Sequence, residues 1–109
     1  MSDSEFEARV TNAEDGVTIE LVGTVNRSAK EGMEAAYAGA TEFSGEITLD
    51  FSRVDYINST GIAVIVGILA MARAEGREVS AFGLTDHYRE VFRITRLSDF
   101  MTILEDAHA

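Results

Sequence analysis

Residues 49–65 read LDFSRVDYINSTGIAVI and contain three consecutive patterns. Up to Phe51, apolar and polar residues alternate, which predicts a half-buried strand. A connection is expected over residues 52–58. Residues 61–73 are then almost entirely apolar, which is typical of a helix buried on nearly all sides against a sheet. Ser59 precedes this helix and is a good N-cap candidate, so the stretch predicts a strand–helix unit.

The flanking sequence adds further elements in alternating order. A strand pair, with the second strand ending at Gly23, and a helix precede the quoted stretch, and a strand, a helix and a short strand follow it. The resulting order β-β-α-β-α-β-α-β predicts an α/β fold, with a mixed sheet of about four to five strands and helices packed on it. The positions that carry these patterns are Phe6, Ala8, Val10, Val17, Ile19, Leu21, Ala29, Met33, Ala36, Tyr37, Ala40, Ile47, Leu49, residues 79–82, Tyr88, Val91, Phe92 and residues 100–104.

The length of 109 residues predicts a single domain, residues 1–109, with flexible tails at about 1–4 and 106–109. Cysteine is absent, so no disulfide or thiol chemistry is expected. The acidic start of the chain does not resemble a signal peptide, and the longest apolar run, residues 62–71, is too short for a bilayer. We therefore expect a cytoplasmic protein.

The charge balance restricts the partners. Nineteen acidic and nine basic residues give a formal net charge of −10. Such a surface repels nucleic acid and anionic membranes, so neither is an expected partner. A partner with a basic face is compatible with this charge, and so is an acidic surface that serves only solubility.

Enzyme signatures are absent from the sequence, and we expect a binding protein without a cofactor or a metal. There is no phosphate-binding loop, dinucleotide fingerprint or nucleophile elbow. His87 is expected on the surface and His108 in the tail. The carboxylates of Asp50, Asp55 and Glu75 could meet near the third strand, although a solvated face is the better interpretation.

Ser59 has two interpretations from the residues alone. Its hydroxyl can cap the following helix, or it can be a phosphorylation site, because a phosphate at a helix N-terminus is tolerated and changes what docks there. The segments 26–28 and 58–60 both match the N-glycosylation pattern Asn-x-Ser/Thr, which we interpret as a coincidence without a signal peptide.

The stretch 49–65 resembles the STAS domain family, in particular the stand-alone bacterial anti-sigma factor antagonists. Their pattern is a strand ending in Asp-x-Ser, followed by Asp-Ser-Ser/Thr-Gly-Leu/Ile. The resemblance extends over nearly the whole chain, including the segment after Gly23 and the closing segment 91–100. It implies a STAS-like mixed sheet and a regulator of sigma-factor-dependent transcription that exchanges partners.

The resemblance also implies partners and site residues. The unphosphorylated antagonist binds an anti-sigma factor with serine kinase activity, phosphorylation releases it, and a metal-dependent serine/threonine phosphatase resets it. Ser59 matches the phosphoacceptor, and Thr60 is a less favoured one. The residues that match the partner-binding surface are Asn26, Asn58, Ser59, Thr60, Gly61 and Ile62.

The chain departs from the family pattern at two positions. Asn58 precedes the serine where the family usually has Asp, and Asn26 stands where the family's Gly-Glu-Leu/Ile-Asp ends in an acid. Both changes remove a charge and keep hydrogen bonding. They leave open an alternative, in which the domain is a phosphorylation-independent scaffold or binding subunit in a stress-signalling, two-component or transport complex. No phosphate-cradling loop supports nucleotide binding.

Overall fold

The computed structural model describes residues 5–13 and 15–104, and in this part of the chain the elements follow the predicted order. Short 3₁₀ turns at Arg27–Ala29 and Leu97–Asp99 precede the first helix and the last strand. The other elements are β1 (Glu7–Ala13), β2 (Gly16–Val25), α1 (Lys30–Ala40), β3 (Glu46–Ile57), α2 (Ser59–Ala74), β4 (Val79–Phe82), α3 (Asp86–Ile94) and β5 (Thr102–Ile103).

The strands form one mixed sheet in the order β1-β2-β3-β4-β5, which confirms the predicted α/β class. β1 and β2 are an antiparallel hairpin, and every later neighbour pair is parallel. Parallel pairs need crossover connections, which the helices supply. As a result, the carboxyl ends of β2 and β3 lie side by side at one edge of the sheet.

Alternate residues of the central strands form the core together with one face of each helix. Ile19 and Leu49 are completely buried, and Phe51 contacts Phe92 of α3 edge to face, with ring centroids 5.6 Å apart. The helical face predicted for α1 is confirmed. The five residues predicted to form this face are all buried, and the first of them belongs to the 3₁₀ turn before the helix: Ala29, Met33, Ala36, Tyr37 and Ala40.

Two predicted strand boundaries were wrong. β2 does not end at Gly23 but continues to Val25, and residues 52–57 are not a connection but the second half of β3. Gly23 has a left-handed φ of 97°, and the β2–β3 register shifts beside it and again between Glu20 and Val22. Such bulges interrupt the two-residue period, so the sequence pattern ended before the strands did.

The expectation that α2 is buried on nearly all sides was also wrong. Ile65, Ile68 and Leu69 are buried, whereas a second face carrying Ala63, Val66, Gly67 and Ala70 is exposed. The predicted stop at Gly76 is confirmed, since α2 ends at Ala74 and Gly76 has a φ of 72°. Across residues 5–13 and 15–104, no helix combines the length and the hydropathy that a membrane crossing requires.

One hydrogen bond joins the end of α2 to α1. The buried Tyr37 hydroxyl donates to a carboxylate oxygen of Glu75 at 2.7 Å. Burial of the hydroxyl, together with this bond and the nearby negative charge, raises the pKa of Tyr37 from 10.0 to about 12. Because the folded-state pKa is the higher one, this contribution to stability is complete below pH 10 and is lost as the pH rises towards 12.

We expect Tyr37→Phe to reduce the alkaline loss of stability. The free energy of unfolding from urea titrations should fall between pH 10 and 12 by roughly 2 kcal/mol more in the wild type than in the variant. Other titrating groups are common to both proteins and cancel in the comparison. An equal fall in both proteins would contradict the raised pKa.

Gly61, in the first turn of α2, lies directly against the end of β2. It is buried, and a Cβ atom at this position would overlap the Val25 carbonyl oxygen. The backbone N–H of Asn58 donates to the same carbonyl at 3.2 Å. The absence of a side chain at Gly61 therefore allows α2 to begin beside the end of β2.

Gly61→Ala should destabilise the domain by about 1–3 kcal/mol, because either the helix or the strand has to move. Gly67→Ala is the matched control, since no atom lies within 4 Å of its added Cβ. That change should stabilise the same helix by about 0.5–1 kcal/mol. Urea titrations give the free energy of unfolding of both variants. Equal changes in this free energy would contradict the close contact at Gly61.

Candidate partner-binding site

The ends of two adjacent parallel strands carry the two asparagines singled out in the sequence. Val25 of β2 pairs with Ile57 of β3, and Asn26 and Asn58 are the next residues of their strands. Both asparagines are half-buried and have extended backbones that lead into helical turns. The pairing of the strands therefore places two helix starts side by side.

Asn58, and not Ser59, is the N-cap of α2, so the predicted capping role of Ser59 was wrong. The Asn58 side-chain oxygen accepts hydrogen bonds from the Gly61 backbone N–H and the Thr60 hydroxyl, both at 2.8 Å. Ser59 is the first residue of the helix. Asparagine and serine are comparable N-caps, and the local sequence does not distinguish them.

Asn26 makes an equivalent arrangement at the neighbouring turn. Its side-chain oxygen accepts from the Ser28 backbone N–H at 2.9 Å and from the Ser28 hydroxyl at 2.6 Å. The sequence analysis did not include Ser28 among the site residues. The repeated Asn-x-Ser/Thr pattern contained the signal, because an asparagine that caps a turn can also hold the hydroxyl two residues later.

The hydroxyl groups of the site differ in whether they make a hydrogen bond within the domain. Those of Ser28 and Thr60 donate to the two asparagines. Ser59 is exposed, and its hydroxyl has no hydrogen-bond partner within residues 5–13 and 15–104. Of the two candidate phosphoacceptors, Ser59 therefore presents the hydroxyl that is not already committed to the fold.

An open depression of about 750 Å³ lies between the two turns. Its surface is polar and apolar in similar measure, and it contains cationic as well as acidic side chains. Among the predicted partner-binding residues, Ser59 and Thr60 are exposed, Gly61 is buried and Ile62 is half-buried against the core. The depression is lined by Asn26, Arg27, Ser28, Lys30, Glu31, Asn58 and Thr60.

The histidines and carboxylates considered in the sequence analysis do not form a common site within the described residues. His87 is exposed, and its ring packs edge-on to that of Tyr88 with the ring centroids 4.8 Å apart. His108 lies outside the described residues. Asp50 accepts from Ser52, and Glu75 accepts from Tyr37. No three His, Cys, Asp or Glu side chains are grouped to hold a metal ion within the described ranges.

Comparison with known proteins shows the family to which the sequence is similar. The family model described as "Mlab, STAS domain" matches residues 8–105. The chain belongs to the STAS domain family. A relative in Bordetella bronchiseptica, named as the putative anti-sigma factor antagonist BtrV, is 36% identical over 98 residues, which cover 87% of this chain and 81% of the relative.

Several solved structures share the fold of this chain at lower sequence identity. An anti-sigma factor antagonist from Mycobacterium paratuberculosis aligns with a TM-score of 0.75 at 13% identity, over 95% of this chain and 89% of that protein. SpoIIAA in its unphosphorylated form aligns with a TM-score of 0.69 at 18% identity, over 95% of this chain and 91% of that protein. Bacillus SpoIIAA in its phosphorylated form aligns with a TM-score of 0.66 at 20% identity, over 95% of each chain.

The two asparagine turns of this STAS domain lead to a stability test. Asn58→Ala removes the cap of α2 and should cost about 1 kcal/mol, whereas Asn58→Asp keeps an acceptor oxygen and should be at least as stable as the wild type. Ser59→Ala, the control, should change the free energy of unfolding by less than about 0.5 kcal/mol. A larger loss in Ser59→Ala than in Asn58→Ala would assign the cap to Ser59 instead.

Proposed function

We propose that this STAS domain is an anti-sigma factor antagonist that is switched by phosphorylation of Ser59. In its unphosphorylated form it binds an anti-sigma factor with serine kinase activity, and the sigma factor is thereby freed for transcription. Phosphorylation ends the complex, and a metal-dependent serine/threonine phosphatase restores the binding form. The names of the relatives support the antagonist role, and the phosphorylated form of SpoIIAA supports control by phosphate on this fold.

The observation that carries the proposal is the uncommitted Ser59 hydroxyl at the start of α2. Ser59 is exposed to an approaching kinase, whereas the Thr60 hydroxyl is bound to Asn58 at 2.8 Å. A kinase has to align the acceptor oxygen with the γ-phosphoryl group, which is simpler for a hydroxyl without an internal partner. This difference favours Ser59 over Thr60 as the acceptor.

A phosphate on Ser59 would change binding without unfolding the domain. It adds a charge of about −1.5 to −2 at a helix N-terminus, where the helix dipole favours anions. Asn58 is uncharged, so the phosphate does not meet a carboxylate on the preceding side chain. The added charge instead acts on whatever docks against Ser59 and the depression beside it.

The partner surface is proposed to combine the two asparagine turns. Ser59 and Thr60 supply exposed polar contacts, and the half-buried Asn26 and Asn58 hold the turns in place. Gly61 and Ile62 contribute through the backbone position and the packing of the first helical turn. A charge on Ser59 would therefore lie inside the contact area rather than at its margin.

The two amides favour a second candidate function. With Asn26 and Asn58 in place of the family's acids, a kinase loses two carboxylates that it could recognise. The domain would then bind its partner without phosphorylation, as a scaffold or subunit of a stress-signalling, two-component or transport complex. Phosphorylation of Ser59 separates this candidate from the first.

Mass spectrometry of the chain expressed in its native host tests the proposed acceptor. We expect a single phosphate, mapped to Ser59, that is absent from Ser59→Ala. The control variant Thr60→Val removes the neighbouring hydroxyl and should keep the phosphate. A phosphate that persists in Ser59→Ala and disappears in Thr60→Val would contradict the assignment. Under conditions that activate the host kinase, complete absence of phosphate would favour the second candidate.

A further inference from the structure

An apolar pocket of about 280 Å³ lies at the end of α2 that is distant from Ser59. It is formed by the second half of α2 and the segment that follows α3. The exposed side chains of Val66 and Phe100 border it, at 46% and 52% exposure. Ala70, Thr95 and Leu97 complete most of its wall, which consists almost entirely of carbon atoms.

The charge at this pocket comes from Arg73. It is the single charged residue in the 16 residues of α2, and its guanidinium lies over the Phe100 ring, 5.3 Å from the centroid. Its position in the last turn also suits a cation, because the carbonyl end of a helix is negative. Arg73 is exposed, and no hydrogen bond or ion pair engages its N–H groups within the described part of the chain.

The pocket wall contains no carboxylate, although the chain has 19 acidic residues. Asp99 and Glu78 line the adjoining cleft, which shares Arg73 and Phe100 with this pocket, and the Asp99 carboxylate there accepts from Arg96 at 2.7 Å. The Thr95 hydroxyl donates to the Val91 carbonyl at 2.8 Å and is therefore occupied. A ligand at this pocket meets carbon along its length and a single guanidinium at its head.

From this combination we infer that the pocket binds a small aliphatic carboxylate. The chain of the ligand would fill the space between Val66, Ala70 and Leu97, and its carboxylate would accept hydrogen bonds from Arg73. Planar guanidinium matches a carboxylate in two-point geometry, and a concave apolar wall with one convergent polar group is typical of small-ligand sites. Arg73 is 14 residues from Ser59, roughly 20 Å along the helix, so the site is separate from the proposed switch.

Methyl and amide NMR titration of the full chain with sodium hexanoate, octanoate and decanoate tests the inference. Saturable shifts are expected at Val66, Ala70 and Leu97, and the affinity should rise about fourfold for each added methylene until the pocket is full. 1-Octanol, which has a similar tail but no charge, should bind at least about tenfold more weakly than octanoate.

Variants distinguish the pocket from general adsorption of an amphiphile. Arg73→Gln should weaken octanoate binding about tenfold and leave 1-octanol unchanged. Ala70→Leu fills the pocket and should abolish both, whereas Ala63→Leu, at another exposed alanine of α2, should affect neither. Equal binding of octanoate and 1-octanol, shifts that do not saturate, or unchanged octanoate binding in Ala70→Leu would overturn the inference.

Discussion

The close contact between α2 and the end of β2 is the constraint on which the rest of the site depends. A Cβ atom on Gly61 would overlap the Val25 carbonyl oxygen, and that oxygen also accepts the Asn58 backbone N–H. The first turn of α2 therefore lies directly against the neighbouring strand. This fixes the position of Asn58 beside Asn26, and it fixes where Ser59 reaches the surface.

From the sequence, the class of the fold and the order of its elements were predictable, but several boundaries were not. The alternation of apolar and polar residues identified the strands where their pairing is regular. It failed at Gly23 and over residues 52–57, because bulges between β2 and β3 shift the register while the strands remain paired. A two-residue period cannot reveal pairing that continues through a bulge.

The burial of α2 was predictable only in part. Its composition is apolar throughout, and composition does not tell which apolar residues a partner element covers. The structure leaves Ala63, Val66, Gly67 and Ala70 uncovered. The helix α2 therefore has two apolar faces: one is buried against the sheet, and the other is exposed at the surface.

Each asparagine turn depends on an acceptor oxygen and not on a charge. The oxygen of Asn58 accepts the Gly61 N–H, and that of Asn26 accepts the Ser28 N–H, as a carboxylate would. Capping needs the acceptor and not the charge. The uncharged side chains of Asn26 and Asn58 therefore maintain both turns without placing a negative charge beside Ser59.

Affinity capture from host extract with the wild type, Ser59→Asp and Ser59→Asn tests the proposed switch at Ser59. Asparagine has the shape of aspartate without its charge, so the pair isolates the effect of the charge. We predict that the wild type and Ser59→Asn retain an ATP-binding kinase-like protein, identified by mass spectrometry, and that Ser59→Asp loses it. Retention of that protein by Ser59→Asp at the wild-type level would contradict a phosphorylation switch at Ser59.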